Sequence, residues 1–364
     1  MKSKLKVAHI ICDLMAGGGQ KSTIDLIRAT NNQIDNYLIL LEEKIEYKPD
    51  DINIISLCHN RKKYKKMDIV GDMLLAKKLK KVVDKLNIDI VISHMEVTAK
   101  IVRFLDMPKI YYMRVDISNE LKLLKKKSFF RYIKRKLVYK QIFTNQVLFC
   151  ISKDTQKNIS KEIYTKDIQT FYNPFNFEYI KQLSLQNINF DENSYIIQIG
   201  SGFSRKRQDI LLKAFSKISD KNIKLLLLGS NPYSEALDLI CKLNIDRSRV
   251  IFHPFVENPY PYIKKAKLLV ISSDREGLPR VMVEALSLDI PVVSTDCDTG
   301  PREILVDELS MYLAKVNDPN DLAIKMDKAL ISYPINLKKY LSEFEKDNIS
   351  KQFVKYIENN IGEC

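Results

Sequence analysis

The stretch VISSDREGLPRVMVEALSLDIPVVSTDCDTGPREIL, from Val270 to Leu305, determines the fold class. An apolar run typical of a buried strand leads into a loop with Glu276, Gly277 and Pro279. A segment with helical periodicity follows, carries Glu284, and ends at a second apolar run. Strand, loop, helix and strand form the repeating unit of a parallel sheet, and ligands bind such sheets beyond the carboxyl ends of the strands. A helix that begins near Pro279 would direct free backbone N–H groups to that edge, which suits an anion.

The same alternation runs through all 364 residues, a length that suits two domains. A polar stretch at 184–194 lacks periodicity and is interpreted as the linker. We therefore predict two doubly wound α/β domains, at 1–180 and 190–345, with 346–364 as a C-terminal helix that crosses back to the first domain. The apolar runs lie at 7–14, 37–41, 52–57, 88–93, 110–113, 147–151 and 168–172, and then at 195–199, 223–228, 250–252, 268–271, 291–294 and 311–314.

Composition excludes several classes of protein. No apolar run approaches the roughly 20 residues that span a bilayer. The N-terminal apolar run is interrupted by Asp13 and has no cleavage site, so we interpret it as a buried strand and not as a signal peptide. The six cysteines show no CxxC spacing, so neither a disulfide framework nor a zinc site is expected, and a reducing cytoplasm is the natural compartment.

The net charge of +14 is unevenly distributed. Residues 1–175 contain 34 Lys and Arg against 19 Asp and Glu, whereas the remainder is close to neutral. Leu121–Phe143 contains nine Lys and Arg, no acidic residue, and several aromatic and aliphatic side chains. This pattern suits a helix lying on an anionic lipid surface. A solvated helix that packs its apolar face into its own domain is the alternative, and a nucleic-acid surface is disfavoured because no binding motif accompanies the charge.

Two further loops are candidates for contact with a ligand. The second domain opens with a strand that leads into Gly200 and then Arg205, Lys206 and Arg207. These cations are either solvated or neutralise a diphosphate, which Arg contacts in a bidentate manner and Lys as a point charge. In the first loop, AGGGQ at 16–20, glycines let the backbone approach a ligand at a helix N-terminus. The G-x-G-x-x-G spacing of a dinucleotide site is absent, so a loop facing an interdomain cleft is favoured.

Together these segments resemble the retaining glycosyltransferases of family 4, which have the GT-B fold of two Rossmann-like domains facing a cleft. The form TDCDTGPREIL is similar to bacterial enzymes that build surface polysaccharides, including capsule and lipopolysaccharide, and lipid-linked oligosaccharides. The segments that carry the resemblance are Glu276-Gly277-Leu278-Pro279 with Glu284, Gly17-Gly18-Gly19-Gln20-Lys21, LFCISKDTQ at 148–156, Tyr172-Asn173-Pro174 and LLLLGSNPY at 225–233.

The resemblance implies roles for individual residues. Glu284 would hold the ribose hydroxyls of a nucleotide sugar, and Glu276 would contact the donor sugar. Gly277, Leu278 and Pro279 would face the sugar and diphosphate with their backbone. The two cations Arg205 and Lys206 would take the diphosphate, and Gly200, Gly17 and Gly18 complete the expected nucleotide-sugar contacts. Two departures from the family pattern are Ser201, where many members have Arg, and Gln20, where they have Glu.

A histidine and a metal-like motif complete the candidates. His94 ends a predicted strand, resembles the family's histidine at the cleft, and is interpreted as a base or acceptor contact, with a core or capping histidine as the alternative. His253 has a similar position and a weaker case. Asp296-Cys297-Asp298 matches the Asp-x-Asp of metal-dependent transferases, but GT-B enzymes do not need a metal for the diphosphate, so we expect neither a metal nor another cofactor.

The resulting hypothesis is a retaining transferase of the hexosyl or N-acetylhexosaminyl type. It would move a sugar from a donor, UDP-linked by expectation, to a lipid-linked glycan at the cytoplasmic face of a bacterial membrane. Front-side attack, in which the leaving phosphate accepts the acceptor's proton, is favoured over double displacement at Glu276. The alternatives are a nucleotide-sugar epimerase with the same fold and a non-catalytic basic protein that binds membranes or nucleic acid.

Overall fold

The computed structural model describes residues 4–15, 17–46, 49–192, 194–200, 203 and 205–360. The chain divides into two compact units. Unit 1 contains the residues up to Pro174 together with those from Lys346 onward, and unit 2 contains Phe175–Glu345. Both units combine helices with parallel strands, as the sequence predicts.

The described residues of unit 1 form a seven-stranded parallel sheet. Its strands are β1 (Lys6–Ile11), β2 (Asp35–Leu40), β3 (Ile54–Ser56), β4 (Ile90–His94), β5 (Lys109–Met113), β6 (Val147–Cys150) and β7 (Asp167–Thr170). They are arranged in the order β3-β2-β1-β4-β5-β6-β7. Each strand overlaps one predicted apolar run, because helices cover both faces of the sheet and its central strands are buried on both sides.

Helices pack on both faces of this sheet. Leu38 and Leu40 of β2 share a core with the first helix, whereas Ile39 belongs to the larger core formed with the helices of the other face. This alternation follows from the two-residue period of a strand. The helices of unit 1 are α1 (Gly18–Thr30), α2 (Lys62–Lys66), α3 (Asp68–Leu86), α4 (Met95–Val102), α5 (Ile117–Lys127), α6 (Phe129–Phe143), α7 (Lys153–Glu162) and, from the C-terminal segment, α15 (Lys346–Asn360).

Unit 2 repeats the architecture with a six-stranded parallel sheet among its described residues. Its strands are β8 (Tyr195–Ile199), β9 (Lys224–Leu228), β10 (Val250–His253), β11 (Leu268–Ile271), β12 (Val292–Thr295) and β13 (Leu313–Ala314), in the order β10-β9-β8-β11-β12-β13. Its helices are α8 (Phe177–Ser184), α9 (Gln208–Phe215), α10 (Ser234–Lys242), α11 (Tyr260–Lys265), α12 (Arg280–Ser287), α13 (Pro301–Ile304) and α14 (Pro319–Ile331), with 3-10 turns at Arg247–Arg249, Asp307–Tyr312, Leu337–Tyr340 and Ser342–Phe344.

The division between the units falls before the predicted linker. The Phe175 N–H donates to the Phe344 carbonyl at 2.9 Å, and α8 packs against α11 and α12, so the chain joins unit 2 directly after Pro174. The polar stretch at 184–194 is therefore part of unit 2 and does not separate the units. In unit 1, α15 packs against α1, and its Phe353 contacts the Phe149 ring at 5.7 Å between ring centres.

None of the described helices combines the length and the apolar composition that crossing a bilayer requires.

Candidate active site

The candidate site lies at the carboxyl end of the unit 2 sheet. β8 and β11 are neighbours there, although the chain forms β9 and β10 between them. Such a reversal of strand order opens a crevice in which α/β sheets bind ligands. The loop after β8 carries Gly200, Arg205 and Lys206, and the loop after β11 carries Glu276. The topology therefore brings these predicted residues to the same edge of the sheet.

Glu276 is buried, with 7% of its side chain exposed. Its Oε1 accepts hydrogen bonds from Lys206 Nζ at 2.8 Å and from Ser273 Oγ at 2.7 Å. Burial raises the pKa of Glu276, but the charge and hydrogen bond of Lys206, the charge of Arg205 and the Ser273 hydroxyl outweigh burial, so the net pKa lies below its usual value. Glu276 is thus an anion, and its Oε2 makes no hydrogen bond to the described residues.

The loop after β8 is shaped so that Lys206 reaches this carboxylate. Ser272 Oγ and Gln198 Nε2 both donate to the Lys206 carbonyl, at 2.8 Å and 3.1 Å. Gly200 has a φ of +109°, and a Cβ at this position would lie 3.0 Å from Lys206 Cε. Glycine at this position provides both the backbone conformation and the space for the lysine side chain.

The other two cations of this loop differ from each other. Arg205 is exposed, and its carbonyl accepts the Asp274 N–H at 3.2 Å. Arg207 instead donates from Nε and Nη2 to the two oxygens of Asp209, both at 2.9 Å, and precedes α9 with a φ of +48°. Internal pairing therefore accounts for Arg207. Ser201 of the same loop, where many family members have Arg, lies outside the described residues.

Glu284 is the second predicted carboxylate and lies in α12 with 4% of its side chain exposed. Its Oε1 accepts from Arg280 Nη2 at 3.3 Å and from the Tyr260 hydroxyl at 3.4 Å. The Arg280 guanidinium in turn lies over the Phe175 ring, 4.5 Å from its centre. Among the described residues, no hydrogen bond involves Glu284 Oε2. In both Glu276 and Glu284, Oε1 therefore accepts the hydrogen bonds of the described residues, and Oε2 can accept a further hydrogen bond.

The loop between the two carboxylates is supported by the loop after β12. The Thr299 hydroxyl donates to the Glu276 carbonyl. A Cβ at Gly300 would lie 2.3 Å from the Gly277 carbonyl oxygen, and Gly300 has a φ of +91°. Both the close approach and the backbone conformation require glycine at position 300.

Leu278 and Pro279 complete this loop. Leu278 is buried, and Pro279 immediately precedes α12, which begins at Arg280 as the sequence indicates to within one residue. No described side chain caps the N-terminus of α12, which is the end at which a helix presents its first backbone N–H groups. These groups lie at the carboxyl end of β11, where an anion would interact favourably with them.

Five residues that support the site were not predicted from the sequence. Ser273, Thr299, Gly300 and Tyr260 are brought in by packing between segments that are distant in sequence or by loop geometry. Only Arg280 carried a usable signal, since it precedes the second carboxylate by four residues on one helix, the spacing of an ion pair.

In unit 1, Gly17 and Gly18 lie at the start of α1, beyond the carboxyl end of β1. The helix begins at Gly18, within the glycine loop itself. Gly17 is extended at its N-terminus, and none of the side chains that the structure describes caps the helix. Because α1 follows β1, its N-terminus lies at the carboxyl end of the unit 1 strands, and a contact of Gly17 and Gly18 with a ligand stays a prediction.

His94 ends β4 and is fully buried. Its Nδ1 lies 3.1 Å from Arg114 Nη2 and its Nε2 lies 2.9 Å from His9 Nδ1, while His9 Nε2 lies 2.9 Å from Asn36 Oδ1. Arginine can only donate, so the direction of every hydrogen bond in this series follows. Each histidine accepts at Nδ1 and donates from Nε2, and both are neutral.

Burial keeps the two rings uncharged. It lowers the pKa of His9 to about 4 and that of His94 well below its usual value, and the nearby Arg114 charge acts in the same direction on both. Neither ring nitrogen of His94 has a lone pair available, so a catalytic base at this position would require the Arg114 contact to break. His94 therefore has the position of a buried core histidine, which is the alternative given in the sequence analysis. A contact between His94 and the acceptor stays a prediction.

The Asp-x-Asp pattern does not gather metal ligands. Asp296 pairs with Arg302 at 3.0 Å, and Cys297 is buried. In the part of the chain that the structure describes, no group of three or more His, Cys, Asp or Glu side chains is arranged to hold a metal ion.

The basic stretch at 121–143 is a helical hairpin and not one helix. Ser128 separates α5 from α6, and its hydroxyl caps α6 by accepting from the Arg131 N–H at 3.4 Å. Arg135 pairs with Glu96 at 2.7 Å and with Glu120 at 3.1 Å, so part of the charge is used inside unit 1. The alternative of packing into its own domain is correct for this part of the hairpin.

The tip of the hairpin, Lys125–Arg131, differs from its base. Phe129 and Phe130 are 66% and 83% exposed, and the lysines at 125, 126 and 127 and the arginine at 131 around them are exposed as well. An exposed pair of aromatic rings surrounded by cations is the pattern of an interfacial contact with anionic lipid.

Comparison with known proteins agrees with this architecture. Residues 181–347 match the family described as Glycosyl transferases group 1. The N-acetylgalactosamine-N,N'-diacetylbacillosaminyl-diphospho-undecaprenol 4-alpha-N-acetylgalactosaminyltransferase of Campylobacter jejuni is 25% identical over 97% of this chain and 99% of that protein. An uncharacterized glycosyltransferase of Methanocaldococcus jannaschii is 37% identical, but the match covers 38% of this chain and 36% of that protein.

Solved structures share the fold over almost the whole chain. Sucrose-phosphate synthase of Thermosynechococcus elongatus has a TM-score of 0.78 at 16% identity and covers 99% of this chain and 100% of that chain. Anabaena HepE in complex with UDP and glucose has a TM-score of 0.72 at 15% identity, with 98% and 100% covered. The chain therefore has the predicted two-domain GT-B fold, and the stretch that matches Glycosyl transferases group 1 lies almost entirely in unit 2.

Proposed function

We propose that this chain is a retaining glycosyltransferase of family 4 that transfers a hexosyl or N-acetylhexosaminyl group from a UDP-linked donor to a lipid-linked glycan. One observation carries the proposal. Two buried carboxylates, Glu276 and Glu284, are each held through one oxygen at the switch point of the unit 2 sheet, and Lys206 lies beside the first. This arrangement offers hydrogen-bond acceptors to hydroxyl groups and a cation to a phosphate.

The donor would bind along this edge. Glu284 Oε2 would accept from a ribose hydroxyl, and Glu276 Oε2 from a hydroxyl of the donor sugar. The diphosphate would meet the Lys206 ammonium, the exposed Arg205 and the positive N-terminal end of α12. Anabaena HepE, which shares this fold, has been solved in complex with UDP-glucose, and this complex supports the choice of nucleotide.

The chemistry needs charge stabilisation more than a nucleophile. The bond between the anomeric carbon and the diphosphate oxygen breaks, the acceptor oxygen bonds to that carbon on the same face, and its proton passes to the departing phosphate. Negative charge grows on the diphosphate, where Lys206 and Arg205 would stabilise it by several kcal/mol when water is excluded, without a metal ion.

The acceptor would bind unit 1 at the cytoplasmic face of a bacterial membrane. The Campylobacter relative that aligns over nearly its whole length is named for a diphospho-undecaprenol acceptor, and a relative over 94% of its length, Staphylococcus aureus CapH, for capsular polysaccharide biosynthesis. The tip Lys125–Arg131 would hold unit 1 on anionic lipid. Each of its cations near such a surface contributes about 1 kcal/mol, and Phe129 and Phe130 add apolar burial.

Calorimetry with UDP, GDP and ADP tests the donor site. UDP should bind selectively, and Glu284→Ala should weaken it at least tenfold, or about 1.4 kcal/mol, because the ribose loses a charged acceptor. Glu308→Ala is the matched control, since Glu308 is an exposed carboxylate of unit 2 that pairs with Lys339. Binding of none of the three nucleotides, or equal losses in both variants, would reject the donor site.

Transfer is tested by incubating UDP-sugars with polyprenyl-diphosphate-linked glycans. The expected product is an extended glycan with the anomeric configuration of the donor. Conversion of the UDP-sugar to its epimer without transfer would instead favour the epimerase.

Flotation with liposomes tests the membrane contact. Binding should require phosphatidylglycerol and fall at least tenfold when Phe129 and Phe130 are both replaced by serine. Serine at Ile331 and Ile335, which are 85% and 87% exposed in unit 2, should leave binding unchanged. Equal losses in the two double variants, or equal binding to neutral phosphatidylcholine liposomes, would contradict a specific contact through the hairpin.

A further inference from the structure

Arg280 contacts Glu284 in an unusual way. An arginine beside a carboxylate commonly binds both oxygens through two parallel hydrogen bonds. Here Nη2 contacts Oε1, at 3.3 Å, and the Tyr260 hydroxyl reaches the same oxygen at 3.4 Å. Two donors therefore converge on one oxygen, and the carboxylate plane is fixed while Oε2 makes no hydrogen bond to the described residues.

The surroundings of Arg280 explain why it does not rotate onto both oxygens. Its residue is 8% exposed, and its guanidinium lies on the Phe175 ring at 4.5 Å. The Phe175 backbone pairs with Phe344 at 2.9 Å, which fixes the position of the ring in unit 2. A planar cation stacked on a fixed ring loses rotational freedom, so the geometry that exposes Oε2 is built into the fold.

We propose that Arg280 is a positioning residue that, together with Tyr260, turns Oε2 of Glu284 toward the ribose of the bound nucleotide. The inference rests on the proposed donor site and extends it. Selectivity for a ribonucleotide over its 2′-deoxy analogue depends on Arg280, although Arg280 itself contacts neither the 2′- nor the 3′-hydroxyl of the ribose.

The test compares the affinities of UDP and 2′-deoxy-UDP by calorimetry. The wild-type protein should bind UDP at least tenfold more tightly. Arg280→Met should reduce this ratio to below three, because a carboxylate free to rotate no longer meets the 2′-hydroxyl. Arg280→Met should also change UDP affinity less than twofold when Glu284 is already alanine, since a residue that acts through Glu284 has no effect without it.

Arg249→Met is the matched control. Arg249 also stacks on a ring of unit 2, at 4.6 Å from the centre of Phe215, and donates to the Ile223 carbonyl. It directly precedes β10 and therefore lies at the amino end of the strands, whereas the candidate site lies at their carboxyl end. Its loss should lower stability and leave the UDP ratio within twofold of wild type.

Several results would overturn the inference. A folded Arg280→Met protein with a wild-type ratio, or with equal losses for UDP and 2′-deoxy-UDP, would leave Arg280 a purely structural role. If Arg280→Met does not fold, the Tyr260→Phe variant tests the inference instead. This variant removes only a hydroxyl and should still lower the ratio of UDP to 2′-deoxy-UDP affinity. An unchanged ratio in Tyr260→Phe would reject the positioning role of both residues. A wild-type ratio near one would instead remove the ribose contact itself, and the proposed donor site with it.

Discussion

Unit 1 should lose stability between pH 7 and pH 5 because His9 and His94 are buried in the neutral form. In the unfolded chain a histidine takes up a proton below about pH 6.5. In the folded protein His9 stays neutral until its pKa of about 4, and His94 is shifted in the same direction. The unfolded state thus binds more protons in this window, and the free energy of unfolding falls as the pH falls.

The pKa of His9 sets the size of the effect. A histidine with a pKa of about 4 when folded and 6.5 when unfolded loses about 2 kcal/mol of stability between pH 7 and pH 5. His94 adds to this loss. Carboxyl groups contribute little there, since they titrate near pH 4 in the unfolded chain. A loss of at least 2 kcal/mol is large beside the 5–15 kcal/mol that typically stabilises a domain.

Hydrogen exchange measured by mass spectrometry resolves the two units. Peptides that cover β1 and β4 should show the loss after correction for the pH dependence of intrinsic exchange, whereas peptides from β11 and β12 serve as an internal reference. His9→Gln should remove about half of the pH dependence in unit 1. His59→Gln, which changes a side chain that is 94% exposed, should not alter it. Equal opening free energies at pH 7 and pH 5 in β1 and β4 would refute the reasoning.

Three further perturbations test other parts of the structure. Gly300→Ala should lower kcat at least tenfold, because its Cβ would meet the Gly277 carbonyl at 2.3 Å; a variant with wild-type kcat would show that the loop does not depend on this approach. Burial raises the pKa of Glu276, and Lys206 is the largest cause that lowers it, so the Lys206→Met variant should have a higher Glu276 pKa. The acid limb of its kcat/KM profile should therefore move to higher pH, and an unmoved limb would argue against the pairing of Lys206 with Glu276. Gly71→Ala should lower the Tm of unit 1 by about 5 °C, because its Cβ would lie 2.0 Å from a carbonyl of α2; calorimetry that finds the wild-type Tm contradicts this packing.

The strands and the two carboxylates are predictable from the sequence for the same reason. Strands covered on both faces consist of consecutive apolar residues, so each one is visible locally, as in the run 268–271 before Glu276. The Gly-Leu-Pro segment then marks a turn into a helix, which fixes the place of Glu284 within about one residue.

The features that were not predicted depend on contacts between distant segments. The boundary after Pro174 is set by pairing between residues 175 and 344, and no local composition reports that pairing. The support of the site by Thr299 likewise joins two loops that follow different strands. The division of the basic hairpin was recoverable, because Ser128 between two amphipathic stretches is a helix-capping signal.

The discontinuity of unit 1 has a consequence for biosynthesis. Its α15 is translated after every residue of unit 2, yet the rings of Phe353 and Tyr356 pack against Phe149 of β6 and against Phe171, which directly follows β7. During synthesis this apolar surface therefore stays exposed until the ribosome has translated the whole of unit 2. Unit 2 is complete before α15 is made, so the core of unit 1 cannot close until translation is nearly finished, and exposed apolar surface of this kind promotes aggregation of folding intermediates.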